Sequence, residues 1–307
     1  MTSTILPGVP PDRYRRRVTN TLVLVDGRTV EFRVTGPAEG LPVVFHHGTP
    51  GTLPIRGFER AVHDRGLRLL SISRPGYGDS TRASGRSVVD VVDDTAAVLQ
   101  SIGAERFLLI GWSGGGPHAL ACAARLAGAL GAAVLAGLAP SDGDGLEFTS
   151  GMNHENCGEW RAVFGGEADL RAHIEPLVPP LLGASLDGGG GDAAEADEEL
   201  PPADVAALTG DFADDLDAAN RDALRHGIDG WVDDELAFAK PWGFDLAEID
   251  IPVSLWHGDD DVNVPFAHGR WLASHVPDAS FHREEREGHL SIMAGSFDPM
   301  LDELITT

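Results

Sequence analysis

The sequence predicts an α/β protein: a mostly parallel sheet with helices on both faces, interrupted by an inserted helical segment. Three observations carry that expectation. Continuously apolar, strand-like runs alternate with stretches of helical spacing up to about residue 140 and again from 251, and strands without a polar face belong in a parallel sheet buried on both sides. Residues 141–250 lose this rhythm and become strongly acidic. At the centre, Arg106–Arg125 reads strand, glycine-flanked serine, helix. A chain of 307 residues, 42% hydrophobic, suffices for one sizeable core, or one core plus an inserted subdomain.

Taken in order, TLVLV and TVEFRV over residues 21–34 are β-type runs joined by Asp26-Gly27-Arg28, a hairpin signal. Pro42–Phe45 is a short apolar strand running into His46-His47-Gly48-Thr49-Pro50-Gly51. A helix is expected near Phe58–Arg65, a strand over Leu67–Ser73, then the turn Arg74-Pro75-Gly76-Tyr77-Gly78-Asp79-Ser80. Ser87–Ile102 has helical spacing, Phe107–Ile110 is a strand with a helix after Ser113, and Ala132–Ala139 is expected as a buried strand ending at Pro140.

In the acidic segment, helical stretches are expected at Ala203–Leu208, Leu216–Arg225 and Asp233–Ala239. Leu186–Asp192 is expected to be mobile, because glycine and charge cannot supply a core. Order returns with a strand at Ile251–Trp256, a helix to His275, a last strand near Ser280–Glu284, and then Gly288-His289. The division read from this is a core of residues 1–140 and 251–307 around a helical acidic cap of 141–250.

The net charge of −25 belongs almost wholly to that segment: residues 142–250 hold 27 Asp/Glu and 5 Lys/Arg, leaving −3 elsewhere. Such a field argues against nucleic-acid and anionic-membrane partners. It reads either as solubility or salt adaptation, consistent with 22 arginines and one lysine, or as a wall that selects substrates. Cys122 and Cys157 form neither a disulfide framework nor a metal-ligand spacing. No transmembrane span is read, and the N-terminal stretch lacks the apolar run of a signal peptide, so a cytoplasmic location is expected. Oligomeric state is left open.

Ser113 lies two residues from glycine on either side in Gly111-Trp112-Ser113-Gly114-Gly115. A serine in so sharp a strand-to-helix turn is held in a strained conformation with its hydroxyl at the helix start, and small neighbours avoid clashes. A serine hydroxyl is a weak nucleophile and needs a histidine base oriented by a carboxylate. His289 alone among twelve histidines combines a position after the last strand with a flanking glycine. For the acid, spacing within Gly258-Asp259-Asp260-Asp261 selects Asp261, with Asp142 as a second position from which a carboxylate could reach. Backbone amides of Gly114 and Thr49 are the expected oxyanion donors. The Thr49 side chain is expected to matter little; His47 and Trp112 are candidate pocket-lining residues.

Together, His47-Gly48-Thr49-Pro50-Gly51, Arg74 to Ser80, Gly111 to Gly115, Gly258 to Pro265 and Gly288-His289 resemble the motif series of the α/β-hydrolase superfamily, over roughly residues 20–140 and 250–305. The resemblance implies an eight-stranded sheet, a cap after the sixth strand, no metal or cofactor, a small-molecule substrate and an acyl-enzyme on Ser113. Serine as nucleophile argues against the dehalogenase and epoxide hydrolase chemistry of relatives with aspartate there. Four readings remain: a carboxylesterase, a proline-iminopeptidase-like aminopeptidase, a cofactor-free perhydrolase or carbon–carbon hydrolase, and a non-catalytic binding protein on the same fold.

Overall fold

In a computed structural model, residues 19–52, 56–183 and 200–307 are described; Leu186–Asp192 lies outside them. The Asp26-Gly27 turn joins β1 (Asn20–Val23) and β2 (Thr29–Thr35) as an antiparallel hairpin, and β2 pairs antiparallel with β4 (Arg68–Ile72). All other neighbours are parallel: β3 (Pro42–His46), β5 (Phe107–Trp112), β6 (Ala129–Leu135), β7 (Val253–Gly258) and β8 (Ser280–Glu284). The eight strands lie in the order β1-β2-β4-β3-β5-β6-β7-β8.

Alternate residues of the central strands face opposite sides, which is why these runs carry no polar face. Val44, Leu70, Leu109 and Val134 meet Val98 of α2 (Val91–Ser101) and Leu120 of α3 (Gly115–Arg125) on one side. On the other, Val43, Phe45, Leu108 and Ile110 pack on Phe58 and Val62 of α1 (Arg56–Asp64) and on the C-terminal helix Phe297–Leu304. Fully burying a side chain of this size is worth about 1.5–3 kcal/mol, so this double-sided packing is the main force holding the sheet's carboxyl edge in place.

Two strands are shifted from their expected bounds. The sixth ends at Leu135 rather than Ala139 because Ala136 takes a φ of 47°, which no strand continues, while its N–H still donates to the Trp256 carbonyl. The seventh starts at Val253: Pro252 has no N–H to offer the ladder, although its carbonyl accepts from Ala132.

Between β6 and β7 come α4 (His154–Gly165), α5 (Glu167–Ile174), α6 (Val178–Gly183), α7 (Pro202–Ala207), α8 (Gly210–Ala223) and α9 (Asp229–Phe238). The last three answer to the expected helices, each beginning earlier than its spacing implied. The first three were not foreseen, although Asn153, whose side chain accepts from the Asn156 N–H, is an N-cap signal that marks the start of α4. After β7 follow α10 (Phe266–His275) and, beyond β8, α11 (Ser291–Gly295) and α12 (Phe297–Leu304). Among the described residues, no helix is long and apolar enough to cross a membrane.

Candidate active site

Four loops at the carboxyl ends of β3, β5, β7 and β8 converge. The β5 loop brings Ser113 at a φ of 53°, with its N–H donating to the Leu135 carbonyl. The glycines around it are required by close approach: a Cβ at Gly111 would lie 2.5 Å from the Gly115 carbonyl, and one at Gly115 would collide with the His46 carbonyl. The chain therefore doubles back between β3 and α3 with its serine outward.

The β8 loop brings His289, buried and 2.9 Å through Nε2 from the Ser113 Oγ. Its Nδ1–H donates to Asp261 Oδ2 at 2.8 Å. The same Asp261 carboxylate accepts through Oδ1 from the Asn263 and Val264 N–H groups, each at 2.8 Å, so its orientation is fixed by its own loop. With Nδ1 protonated toward Asp261, Nε2 is left as the acceptor facing the hydroxyl. Burial alone would lower the His289 pKa, but the charge and hydrogen bond of Asp261, helped by Asp204, carry it above the ordinary imidazole value.

Asp259 is instead spent on Arg283 and the Arg286 N–H, and both Asp260 and the alternative acid Asp142 are exposed. Of the candidate acids, the structure brings only Asp261 to the histidine.

The β3 loop faces the serine turn: a side chain at Gly114 would run into Thr49 and come 3.1 Å from the Phe238 ring of α9. Among the described residues, neither the Thr49 nor the Gly114 N–H has an acceptor within the chain. Trp112 packs against this constellation, its ring centroid 5.7 Å from that of His289, and a Cβ at Gly48 would lie 3.1 Å from the same ring.

One expectation needs correction. The Thr49 side chain is not idle: its hydroxyl donates to Asp234 Oδ2 at 2.9 Å and accepts from Arg74. His47 is buried, donates from Nδ1 to the Gly48 carbonyl and accepts at Nε2 from the Arg74 N–H, with a pKa held well below the ordinary value by burial and by the Arg74 charge.

Both side chains belong to a buried network that no local pattern announced. Asp234 of α9 takes the guanidinium of Arg74 at 2.6 Å, that of Arg86 at 2.7 Å and the Tyr77 hydroxyl at 2.9 Å. Burial opposes ionisation of this carboxyl, yet the two guanidinium groups outweigh it and hold the pKa well below the usual range. The Arg74 to Ser80 turn, the β3 loop and α9 are thereby locked together.

A family model described as alpha/beta hydrolase fold matches residues 42–160, the stretch that carries β3 to α4 and Ser113. The chain has the α/β-hydrolase fold. The chain is 28% identical to a non-heme chloroperoxidase of Streptomyces lividans over 80% of its own length and 84% of the relative's. It is 26% identical to a 2-hydroxy-6-oxononadienedioate/2-hydroxy-6-oxononatrienedioate hydrolase of Cupriavidus pinatubonensis, over 88% and 89% of the two chains. A hydrolase structure from Pseudomonas aeruginosa superposes with a TM-score of 0.67 at 17% identity, covering 95% of this chain and all of that one.

Proposed function

We propose that this α/β hydrolase is a serine hydrolase that forms an acyl-enzyme on Ser113 and acts on carboxylic esters with small or medium, neutral or cationic acyl groups. The observation that carries the proposal is the continuous hydrogen-bonded line Ser113–His289–Asp261 at a strand-to-helix turn. In this reading Ser113 Oγ attacks the ester carbonyl while His289 Nε2 takes its proton, and the Thr49 and Gly114 amides receive the oxyanion. The proton then passes from His289 to the departing alkoxide, leaving acyl-Ser113. Water, deprotonated by the same nitrogen, attacks the acyl carbonyl, and Ser113 regains its proton as the acid leaves. Asp261 keeps the ring in the Nδ1–H tautomer and stabilises the imidazolium. Residues 141–250 serve as the cap over this site.

A second reading, the aminopeptidase, is favoured by one specific feature. Glu235 of α9, one turn before Phe238, is buried with no hydrogen-bond or ion-pair partner among the described residues, and Glu159 lies close enough to raise its pKa further. Burial is the larger cause for both; the Glu159 carboxyl, which accepts from Trp231 at 2.6 Å, is pushed up to about 7. A substrate ammonium beside it would favour its ionised form and pair with it. The Cupriavidus relative is named for a dianionic substrate. Here Arg74 and Arg86 are already committed to Asp234, which speaks against a dianion at this site.

Aryl esters, prolyl arylamides and a carbon–carbon-cleavage substrate assayed side by side test the proposal. The highest kcat/KM is expected on an aryl ester; a prolyl arylamide turned over faster transfers the assignment to the aminopeptidase reading, and no hydrolysis of any of them overturns it.

A further inference from the structure

We infer that Asp204, on the first turn of α7 in the inserted segment, is a positioning residue for His289. Its side chain is fully buried and accepts three consecutive backbone N–H groups of the β8 loop: His289 at 2.9 Å on Oδ2, and Leu290 at 2.9 Å and Ser291 at 2.8 Å on Oδ1. The loop is shaped for this contact. A Cβ at Gly288 would lie 2.5 Å from Asp204 Oδ2, so only glycine lets the carboxylate reach, and the Gly288 N–H closes the turn on the Ser291 hydroxyl.

The loop that carries the proposed base is thus held from two sides: Asp261 grips the ring, and Asp204, from another part of the chain, grips the backbone. The groups facing His289 are Ser113 and Trp112 from the β5 turn, Asp261 and, through it, His257 from β7 and its loop, and Asp204 from α7. Of these, the two carboxylates favour the imidazolium, which is the form the reaction creates. The inserted segment is therefore more than a wall around the substrate. When α7 is seated, the histidine is aimed and its cationic form supported; when it is not, three N–H groups lose their acceptors and the loop is released. The inference rests on reading Ser113, His289 and Asp261 as the catalytic relay.

Asp204→Asn, compared with the parent and with the exposed Asp260→Asn as a charge control, tests it through pH profiles of aryl-ester hydrolysis. Expected are a fall in kcat of about 10- to 100-fold, the size of effect that partners orienting metal-binding histidines have, a KM within about twofold, and an acid limb moved to lower pH because a negative charge beside the imidazolium is gone. A folded Asp204→Asn with parental kcat and an unmoved acid limb overturns the inference. Should that variant not fold, Gly288→Ala crowds the same carboxylate from the loop side and is expected to lower kcat with KM held; parental kcat there overturns it equally. Fluorophosphonate labelling of the parent separates the two levels: a parent that is not labelled defeats the relay itself and this inference with it, whereas a labelled parent with an indifferent Asp204→Asn defeats the inference alone.

Discussion

Ser113 pays for its outward hydroxyl with a φ of 53°, a conformation costing about 1–3 kcal/mol that persists only where neighbours over-determine it. Gly111 and Gly115 do so by letting β3 and α3 close on the turn. Three adjacent aspartates differ as sharply: Asp261 meets His289, Asp259 meets Arg283, and Asp260 meets solvent. Asp261→Asn should therefore lower kcat by about four orders of magnitude, as expected when the ring loses its tautomer-fixing acceptor, whereas Asp260→Asn should stay within a fewfold; equal losses in steady-state ester hydrolysis would contradict the assignment. Because the His289 pKa is raised, kcat/KM should fall on the acid side with an apparent pKa above 6.5, the ordinary imidazole value. These residues were legible because each is tied to a local pattern: a glycine-flanked serine, a carboxylate after one strand, a glycine-histidine after the next. Asp204 and Asp234 were not, since their partners lie 85 and 160 residues away and an aspartate in an acidic segment carries no local mark.

At the scale of elements, the strands were readable from their apolar runs, and the errors came where backbone chemistry overrode hydrophobicity, at Ala136 and Pro252. The inserted helices were harder, because acidic residues, a type that usually faces water, are buried in them: Asp204, Asp215, Asp233, Asp234, Glu159 and Glu235. Several meet arginines from the N-terminal part, as Arg82 meets Asp233 at 2.8 Å and Arg56 meets Asp215 at 2.5 Å. Glu159 has no such partner, and its carboxyl rises from 4.5 to about 7. A carboxyl with a raised folded pKa holds its proton in the native state while the unfolded chain has released it, so its contribution declines as pH rises from about 4.5 through 7. Glu159→Gln keeps an acceptor for Trp231 and removes the charge. Urea denaturation at pH 5 and pH 8 should show a smaller loss of stability in the variant than in the parent; an unchanged difference would mean that Glu159 ionises freely in the fold.

Across the whole molecule, the negative charge is concentrated on one side of the chain's organisation, in residues 142–250. Part of it is neutralised internally by the arginines just named, which accounts for some of the acidity without any adaptation to salt. The remainder sets a field around the proposed site. Matched cationic and anionic esters should differ severalfold in kcat/KM at low ionic strength, with the cationic one favoured, and the ratio should approach one as salt shortens the screening length to about 3 Å near 1 M. A ratio of one at low salt would remove the field from the account.

The central claim, an activated serine at the β5 turn, is tested most directly by intact-mass measurement after treatment with a fluorophosphonate. The parent should gain a single adduct, and Ser113→Ala, folded as judged by circular dichroism, should gain none. A folded parent that stays unmodified, or an adduct that persists in Ser113→Ala, would contradict it.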